Sequence, residues 1–451
     1  MDLLELEVGE AAQGGWCVAR EPSGRVVLVR HALPGERVLA QVTEATTRFA
    51  RADAVQVLDP SPDRVEPRCP HARPGGCGGC DWQHASPAAQ RRLKGAVISQ
   101  QLRRIAGLDR EVTVEPLPGD PAGLGWRTRV RFAVRPDGTA GLHKHRSHDV
   151  IDVGHCPIAH PLVDEAGVTG RRWPRAGSVQ VVSAPGSGQR ALVVTPATRG
   201  GRGAVPPGQP GAPGKHGAPG KSARQRGPRG GPGRSAEWVA GGTDPVLAAG
   251  RDGRLTALRG GPFLQQGAAG RTWRVSAGVF WQVHPAAADA LTGAVRDAVR
   301  PQPGDVALDL YCGAGLFAGL LADAVGPSGT VIGIESDGAA VRDARHNLRA
   351  TPWARVHRGD VAEVLGRADW AQATIAVLDP PRAGAGRAVL DQLLGPGTSL
   401  GRVGYVSCDP ATLARDIGIF REAGWQLGDL RAFDAFPMTH HVECVATLTR
   451  G

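Results

Sequence analysis

Short bursts of alternating apolar and polar positions fill residues 1–58. They predict five strands, Leu4–Val8, Trp16–Arg20, Val26–Val29, Arg37–Val42 and Phe49–Leu58. Pro22-Ser23-Gly24 and Leu33-Pro34-Gly35 supply turn chemistry between them. Five strands at this spacing predict a small β-barrel of the oligonucleotide-binding kind. A helical period follows over about Pro87–Ile105, with Arg91, Arg92, Lys94, Arg103 and Arg104 as its basic residues. Residues 126–200 read as β-hairpins in which Arg127, Arg129, Arg131, His143, Lys144, His145 and Arg146 interleave with apolar side chains. Strands continue to about Phe280, and a helix over Ala286–Val299 leads into a different pattern. From Asp305 the apolar runs Val306–Leu310, Thr330–Glu335, Ala354–His357, Thr374–Asp379 and Arg402–Ser407 alternate with the helical stretches Leu316–Val325, Ala339–Arg349 and Ala388–Leu394. That alternation predicts an α/β, doubly wound parallel sheet. A chain of 451 residues exceeds one core. We divide it into a barrel (1–60), a central, mostly β region (61–270) and a doubly wound domain (271–451), with helix 87–105 free to pack on the last.

Composition changes this picture in one place. Arg199–Arg234 holds 12 Gly, 7 Pro and 8 Lys or Arg with no acid, so it supplies +8 of the chain's net +10. With almost nothing apolar to bury, it is expected to be a disordered basic insertion. It is either a polycation that adds phosphate contacts or a passive low-complexity segment. No run of 18 apolar residues occurs, so no membrane helix is expected. The acidic start Met1–Glu7 does not read as a signal peptide, and a cytoplasmic location is expected. Eight Cys are too sparse for a disulfide scaffold and read as ligands, nucleophiles or small core residues.

Chemistry concentrates at strand ends. Asp309-Leu310-Tyr311-Cys312-Gly313-Ala314-Gly315 follows the first strand of the last domain and opens a helix, a loop suited to close ligand approach. Ala318 stands where a dinucleotide loop has its third Gly, and Glu335 ends the second strand, where a carboxylate can accept from both ribose hydroxyls. This is the pattern of an S-adenosylmethionine site. Cys408, at the end of Arg402–Ser407 and before Pro410, is a candidate nucleophile whose thiol a helix N-terminus would acidify. Cys17, Cys312 and Cys444 read as small buried residues. Cys69-x7-Cys77-x2-Cys80, with Cys156 far downstream, suits a metal or an iron–sulfur cluster, and spacing alone does not separate them. Such a site would tie two distant segments together.

With Asp379-Pro380-Pro381-Arg382-Ala383-Gly384-Ala385, Ser407–Asp416 and Phe436–Glu443, the chain resembles the uracil-5 RNA methyltransferase family, which modifies uridine in ribosomal and transfer RNA. The segments Gly14–Arg20 and Ala32–Glu36 resemble a TRAM RNA-binding module. Uracil C5 is a poor nucleophile until a thiolate adds to C6, and the C5 proton must later leave. The resemblance implies Cys408 as the nucleophile and Glu443 as the base, with Asp379 orienting the base or contacting the cofactor. It implies Gln282, Tyr311, Gly313, Glu335 and Asp360 as further S-adenosylmethionine contacts. For Cys69, Cys77, Cys80 and Cys156 it implies a [4Fe–4S] cluster, with zinc as the alternative. His441 is expected on a strand surface. The expected partner is RNA, ribosomal before transfer RNA, and the chain is expected to be a monomer. A competing reading, an RNA-binding protein with a vestigial methyltransferase fold, predicts loss of Cys408 or Glu443, and both are present.

Deleting residues 199–234 removes +8 and little apolar surface, so thermal stability is expected to hold. If the segment engages RNA, the log–log salt slope of binding flattens by roughly two to five units, at about 0.7 per lost phosphate contact. An unchanged slope identifies a passive insertion.

Overall fold

In the computed structural model, residues 3–197, 236–239, 242–250, 252–367 and 370–451 are described. The expected basic insertion, 199–234, lies outside them.

The barrel strands are β1 (Leu3–Glu7), β2 (Ala11–Ala12), β3 (Trp16–Arg20), β4 (Val26–Arg30), β5 (Arg37–Ala45) and β6 (Phe49–Asp59), in the spatial order β1-β5-β6-β4-β3-β2. Period-two alternation sends Leu6, Cys17, Val27, Val29, Val38, Ala40, Ala50 and Ala52 inward.

Helix α1 (Pro87–Gln101) starts where Ser86 accepts from Ala89 N at 3.3 Å and Pro87 fixes the first turn. Its Val97 packs into the barrel core, while Ile98 and the following Leu102 enter the core of the last domain. The expected helix therefore joins two domains. On the same helix Gly95 leaves room for a passing chain: a Cβ there would stand 2.3 Å from Val112 O. That close approach seats β7 (Val114–Pro116) as the edge strand of the last domain's sheet. Residues 87–116, placed in the central region by pattern, thus belong partly to the core of the last domain. Lys94 is fully buried, with Nζ 2.5 Å from Asp434 Oδ1 and 3.0 Å from Phe436 O. Burial pulls its ammonium pKa down against the opposing effect of Asp434.

The central sheet comprises β8 (Arg129–Val134), β9 (Ala140–His143), β10 (Val150–Ile151), β11 (Ala176–Ala184), β12 (Gln189–Pro196), β13 (Val246–Ala249) and β14 (Leu255–Arg259). Their order is β10-β9-β8-β11-β12-β13-β14. The short helices α2 (Pro161–Asp164) and α3 (Ala236–Val239) accompany it, and the hairpin β15 (Phe263–Ala268)–β16 (Arg271–Ser276) follows.

The last domain runs α4 (Ala287–Val299), β17 (Val306–Leu310), α5 (Leu316–Val325), β18 (Thr330–Glu335), α6 (Gly338–Asn347), β19 (Ala354–Arg358), α7 (Val361–Leu365), β20 (Ile375–Leu378), α8 (Arg387–Leu393), β21 (Arg402–Ser407), α9 (Pro410–Glu422), β22 (Trp425–Asp434) and β23 (Glu443–Arg450). Strand order is β19-β18-β17-β20-β21-β23-β22-β7. The first five strands are parallel, as their continuous apolar runs require, and β23 inserts antiparallel between β21 and β22.

Lys94→Ala leaves Asp434 buried without its partner. We expect a loss of about 3–5 kcal/mol in denaturant unfolding. Pairing Lys94→Met with Asp434→Leu is expected to recover most of it.

Candidate active site

The antiparallel register of β21 and β23 fixes the centre of the site. Arg402 faces Thr449 and Ser407 faces Cys444. The ladder ends at that pair, with Cys408 and Glu443 the next residues on the two segments, and the Glu443 carboxyl is close enough to act on the Cys408 thiol. The loop after β20 contributes Asp379 and Arg382. A network beneath it holds that loop in place: Asp416 Oδ2 accepts from Tyr405 Oη at 2.5 Å and from Ala385 N at 2.8 Å, and Arg415 binds Asp416 Oδ1. Gly384 is in the left-handed region (φ +75°), and a Cβ there would lie 2.4 Å from Arg415 Nη2.

Buried charge sets the electrostatics. Glu443 is pushed well above the usual carboxylate range by burial and by Asp379. Asp379, half-buried, is pushed up to about 7 by desolvation. The Cys408 thiol is pushed up to about 12, first by burial and then by Glu443, while Arg382 acts in the opposite direction. This corrects the expectation of an acidified thiol. The free N–H groups of α9 that would have acidified it are occupied, because Asp409 caps Ala411 N and Thr412 N at 3.0 Å each.

His441 also departs from expectation. It sits on the loop before β23, in the cavity that holds Cys408 and Arg382, rather than on a strand surface. Arg382 Nη2 and His441 Nε2 are 3.2 Å apart, and burial pushes the imidazole down to about 2, so it is neutral. Its neighbour His440 bonds Asp81 twice, through Nδ1 at 2.6 Å and through its backbone N–H at 3.1 Å. Asp81 also faces Arg30 of the barrel at 3.5 Å, and Gln90 Oε1 accepts from Met438 N at 2.7 Å. Residues 434–442 are thus gripped by α1 and by the loop that carries Cys80. Sequence reasoning missed these supports, since Asp81 and Gln90 carry no motif of their own.

At the next strand ends, Glu335 Oε2 accepts from Gly313 N at 3.0 Å and Oε1 from Asp337 N at 2.7 Å. Tyr311 holds a left-handed backbone (φ +66°), strain of the kind that clusters at ligand loops. A Cβ at Gly313 would meet no atom within 4 Å, so the loop opens onto free space. Asp360 caps α7 through Ala362 N and Glu363 N. Gln282 is buried and lies beyond β16, before α4. The loop, its open face and the fixed acceptor at Glu335 suit a nucleoside carrying a ribose diol. Cys17, Cys312 and Cys444 are buried, as expected.

Cys69, Cys77, Cys80 and Cys156 are unpaired thiols that line one cavity of about 1270 Å³, together with Arg127, Lys144 and Arg146. Cys77 Sγ accepts from Gly79 N at 3.4 Å and Cys80 Sγ from Gln83 Nε2 at 3.3 Å, while Ala159 N donates to the Cys156 backbone carbonyl at 2.9 Å. Burial pushes the last three thiols up. Among the described residues no group of three or more His, Cys, Asp or Glu is arranged to hold a metal ion.

The sheet order and strand-end loops define a class I, S-adenosylmethionine-dependent methyltransferase carrying a TRAM barrel. Family models match as a TRAM domain over residues 3–55, a tRNA (uracil-5-)-methyltransferase over 363–451 and a protein-L-isoaspartate(D-aspartate) O-methyltransferase over 282–374. An RNA methyltransferase of Streptomyces avermitilis is 49% identical over 98% of this chain and 97% of its own. One of Corynebacterium efficiens is 33% identical over 100% and 95%. The crystal structure of Pyrococcus abyssi tRNA (uracil-54, C5)-methyltransferase in complex with S-adenosyl-L-homocysteine shares the fold, with a TM-score of 0.68 at 20% identity over 98% of this chain and 99% of that one. The chain belongs to the uracil-5 RNA methyltransferase family.

Glu443→Gln removes a charge that raises the Cys408 thiol at alkaline pH. Burial of the thiol remains, so its pKa is expected to fall part of the way from about 12. Below that pKa, a thiol made ten times more acidic holds up to about ten times more thiolate. At a fixed alkaline pH, alkylation of Cys408 read by peptide mass spectrometry is therefore expected to quicken several-fold.

Proposed function

We propose that the protein methylates C5 of a uridine in structured RNA, ribosomal RNA first and transfer RNA as the alternative, through a covalent Cys408 adduct. The observation that carries this reading is that Cys408 and Glu443 flank the Ser407–Cys444 pair at the end of the β21–β23 ladder, with Glu443, Asp379 and Arg382 all acting on the Cys408 thiol. S-adenosylmethionine supplies an electrophilic methyl group, and the chain's residues do the rest. Cys408 gives up its thiol proton to solvent, its Sγ thiolate adds to C6, and the electron pair moves to C5 and O4 as an enolate. Arg382 is the cation beside the sulfur and favours the thiolate. C5 then takes the methyl group, whose bond to the sulfonium sulfur breaks to leave the neutral thioether. Glu443 removes the C5 proton, the C6–S bond breaks, and the thiolate is released. A carboxyl held neutral by burial must first lose its own proton to serve as that base, and the shared field of Asp379 and Glu443 ties this step to pH. For the cofactor, Tyr311, Gly313 and Glu335 form the loop and ribose acceptor, with Gln282, Asp360 and Asp379 as further contacts.

RNA reaches the site beside the barrel and the basic cavity lined by Arg127, Lys144 and Arg146. A base in a folded RNA must be extruded to meet Cys408. For Cys69, Cys77, Cys80 and Cys156 we propose a structural [4Fe–4S] cluster, with zinc as the alternative; binding would have to draw these thiols together, since they are not arranged for a metal without it. Four thiols on one cavity and N–H donors at two of the sulfurs support ligation by thiolates. The preference for ribosomal RNA rests on the combination of TRAM barrel and cysteine set. Iron and sulfide near four each per chain after anaerobic purification would support the cluster, and a single zinc would replace it.

Cys408→Ala is expected to abolish methyl transfer, by at least about 10³-fold, while S-adenosylmethionine binding by calorimetry stays near wild type. Mass-spectrometric mapping of 5-methyluridine in a deletion strain is expected to show one site lost from ribosomal RNA. Loss from transfer RNA alone would select the alternative, and no loss of 5-methyluridine would refute the reaction.

A further inference from the structure

The cavity at Cys408 has a wall from another domain. Ala12, Gln13 and Gly14, in the turn from β2 to β3, line it together with Arg382, Cys408 and Asp409. Gln13 Nε2 donates to Asp409 Oδ2 at 2.7 Å. Asp409 divides its carboxylate: Oδ1 caps the first turn of α9, and Oδ2 takes the Gln13 amide.

The turn is held firmly enough for this bond to matter. Gly15 is left-handed (φ +79°), and a Cβ there would lie 2.7 Å from Asp81 Cβ. On the other side Gln100 Nε2 of α1 donates to Glu10 Oε2 at 3.2 Å. Val97 of α1 sits in the barrel core and also lines the Cys408 cavity. The barrel is therefore docked within a hydrogen bond of the residue next to the nucleophile.

We propose that Gln13 is a positioning residue for methyl transfer: by binding Asp409 it makes the docked barrel part of the active site and holds the Cys408 end of α9 in its reactive arrangement. The proposal rests on Cys408 being the nucleophile. Around that thiol stand Glu443 from β23, Asp379 and Arg382 from the loop after β20, Asp409 on its own segment, and His440 and His441 from the loop before β23. The three carboxylates oppose the thiolate and Arg382 favours it. The Gln13 amide faces Asp409 Oδ2 and draws part of that carboxylate's field away from the sulfur. A barrel that serves RNA affinity alone has no need of this contact, and phosphate contacts elsewhere on it would do the same work.

The test uses the full chain in single-turnover methyl transfer on unmodified RNA from a deletion strain, with Gln13→Ala, Gln13→Glu and Cys408→Ala. Losing one charge-assisted hydrogen bond is expected to slow transfer by Gln13→Ala about tenfold. RNA affinity should stay within about twofold, because no base or phosphate contact is removed. The alkaline-rising limb of the pH–rate curve should move up by roughly half to one pH unit, and Gln13→Glu should move it further by adding a carboxylate against Asp409. Wild-type rates and pH profiles in both Gln13 variants would overturn the proposal, as would a rate loss matched by lost RNA affinity with the pH profile unmoved. Transfer that survives in Cys408→Ala would instead refute the nucleophile reading, whatever the Gln13 variants do.

Discussion

The antiparallel seating of β23 against β21 is the constraint on which the site depends. One register ends at the Ser407–Cys444 pair and so brings Cys408 and Glu443, the side chains proposed to react, to the same end of the sheet, and side chains alternate faces along a strand. A slip by one residue would turn the Glu443 carboxyl away from Cys408 and into the packed core. The apolar residues Val445, Ala446 and Leu448 of β23 guard against this, because the same slip would misplace them all.

Register alone would not hold the segment between Asp434 and Glu443, which has no ladder bonds of its own. Three supports from outside the domain supply them. Lys94 neutralises Asp434 and caps Phe436 O, Gln90 binds the Met438 backbone, and Asp81 binds His440. Each is buried or nearly so, where removal of one partner strands the other. The helix and cysteine loop that carry these residues are therefore working parts of the catalytic domain. The barrel is joined to the same unit through Arg30, Val97 and Gln13.

Much of this is legible in the chain. The five parallel strands and the helices α5, α6 and α8 can be read almost to their ends, because buried strands are continuous apolar runs flanked by turn residues, whereas the five-residue α7 is not among the expected helices. Five of the six barrel strands are plain from their alternation, and the two-residue β2 is not. The three-residue β7 has too little pattern to be seen, and its place depends on a clearance that only the backbone of α1 shows at Gly95. Lys94 reads as one of several basic residues on a predicted helix, whereas its partner lies 340 positions away. Cys408 differs from expectation for another reason. The helix N-terminus is where the sequence puts it, but its N–H groups are spent on Asp409, and the buried Glu443 and Asp379 oppose the thiolate. Motif residues announce chemistry, and the field they create together appears only once they are packed.

The central claim is that the Cys408 sulfur bonds to uracil C6 during turnover. The most direct measurement replaces the target base with 5-fluorouridine, whose C5 substituent Glu443 cannot remove as a proton. Intact-mass and peptide analysis after incubation with S-adenosylmethionine should find a stable RNA–protein adduct at Cys408 that carries the transferred methyl group, and Cys408→Ala should form none. Methylation of the RNA with no adduct, or an adduct at another residue, would contradict the account.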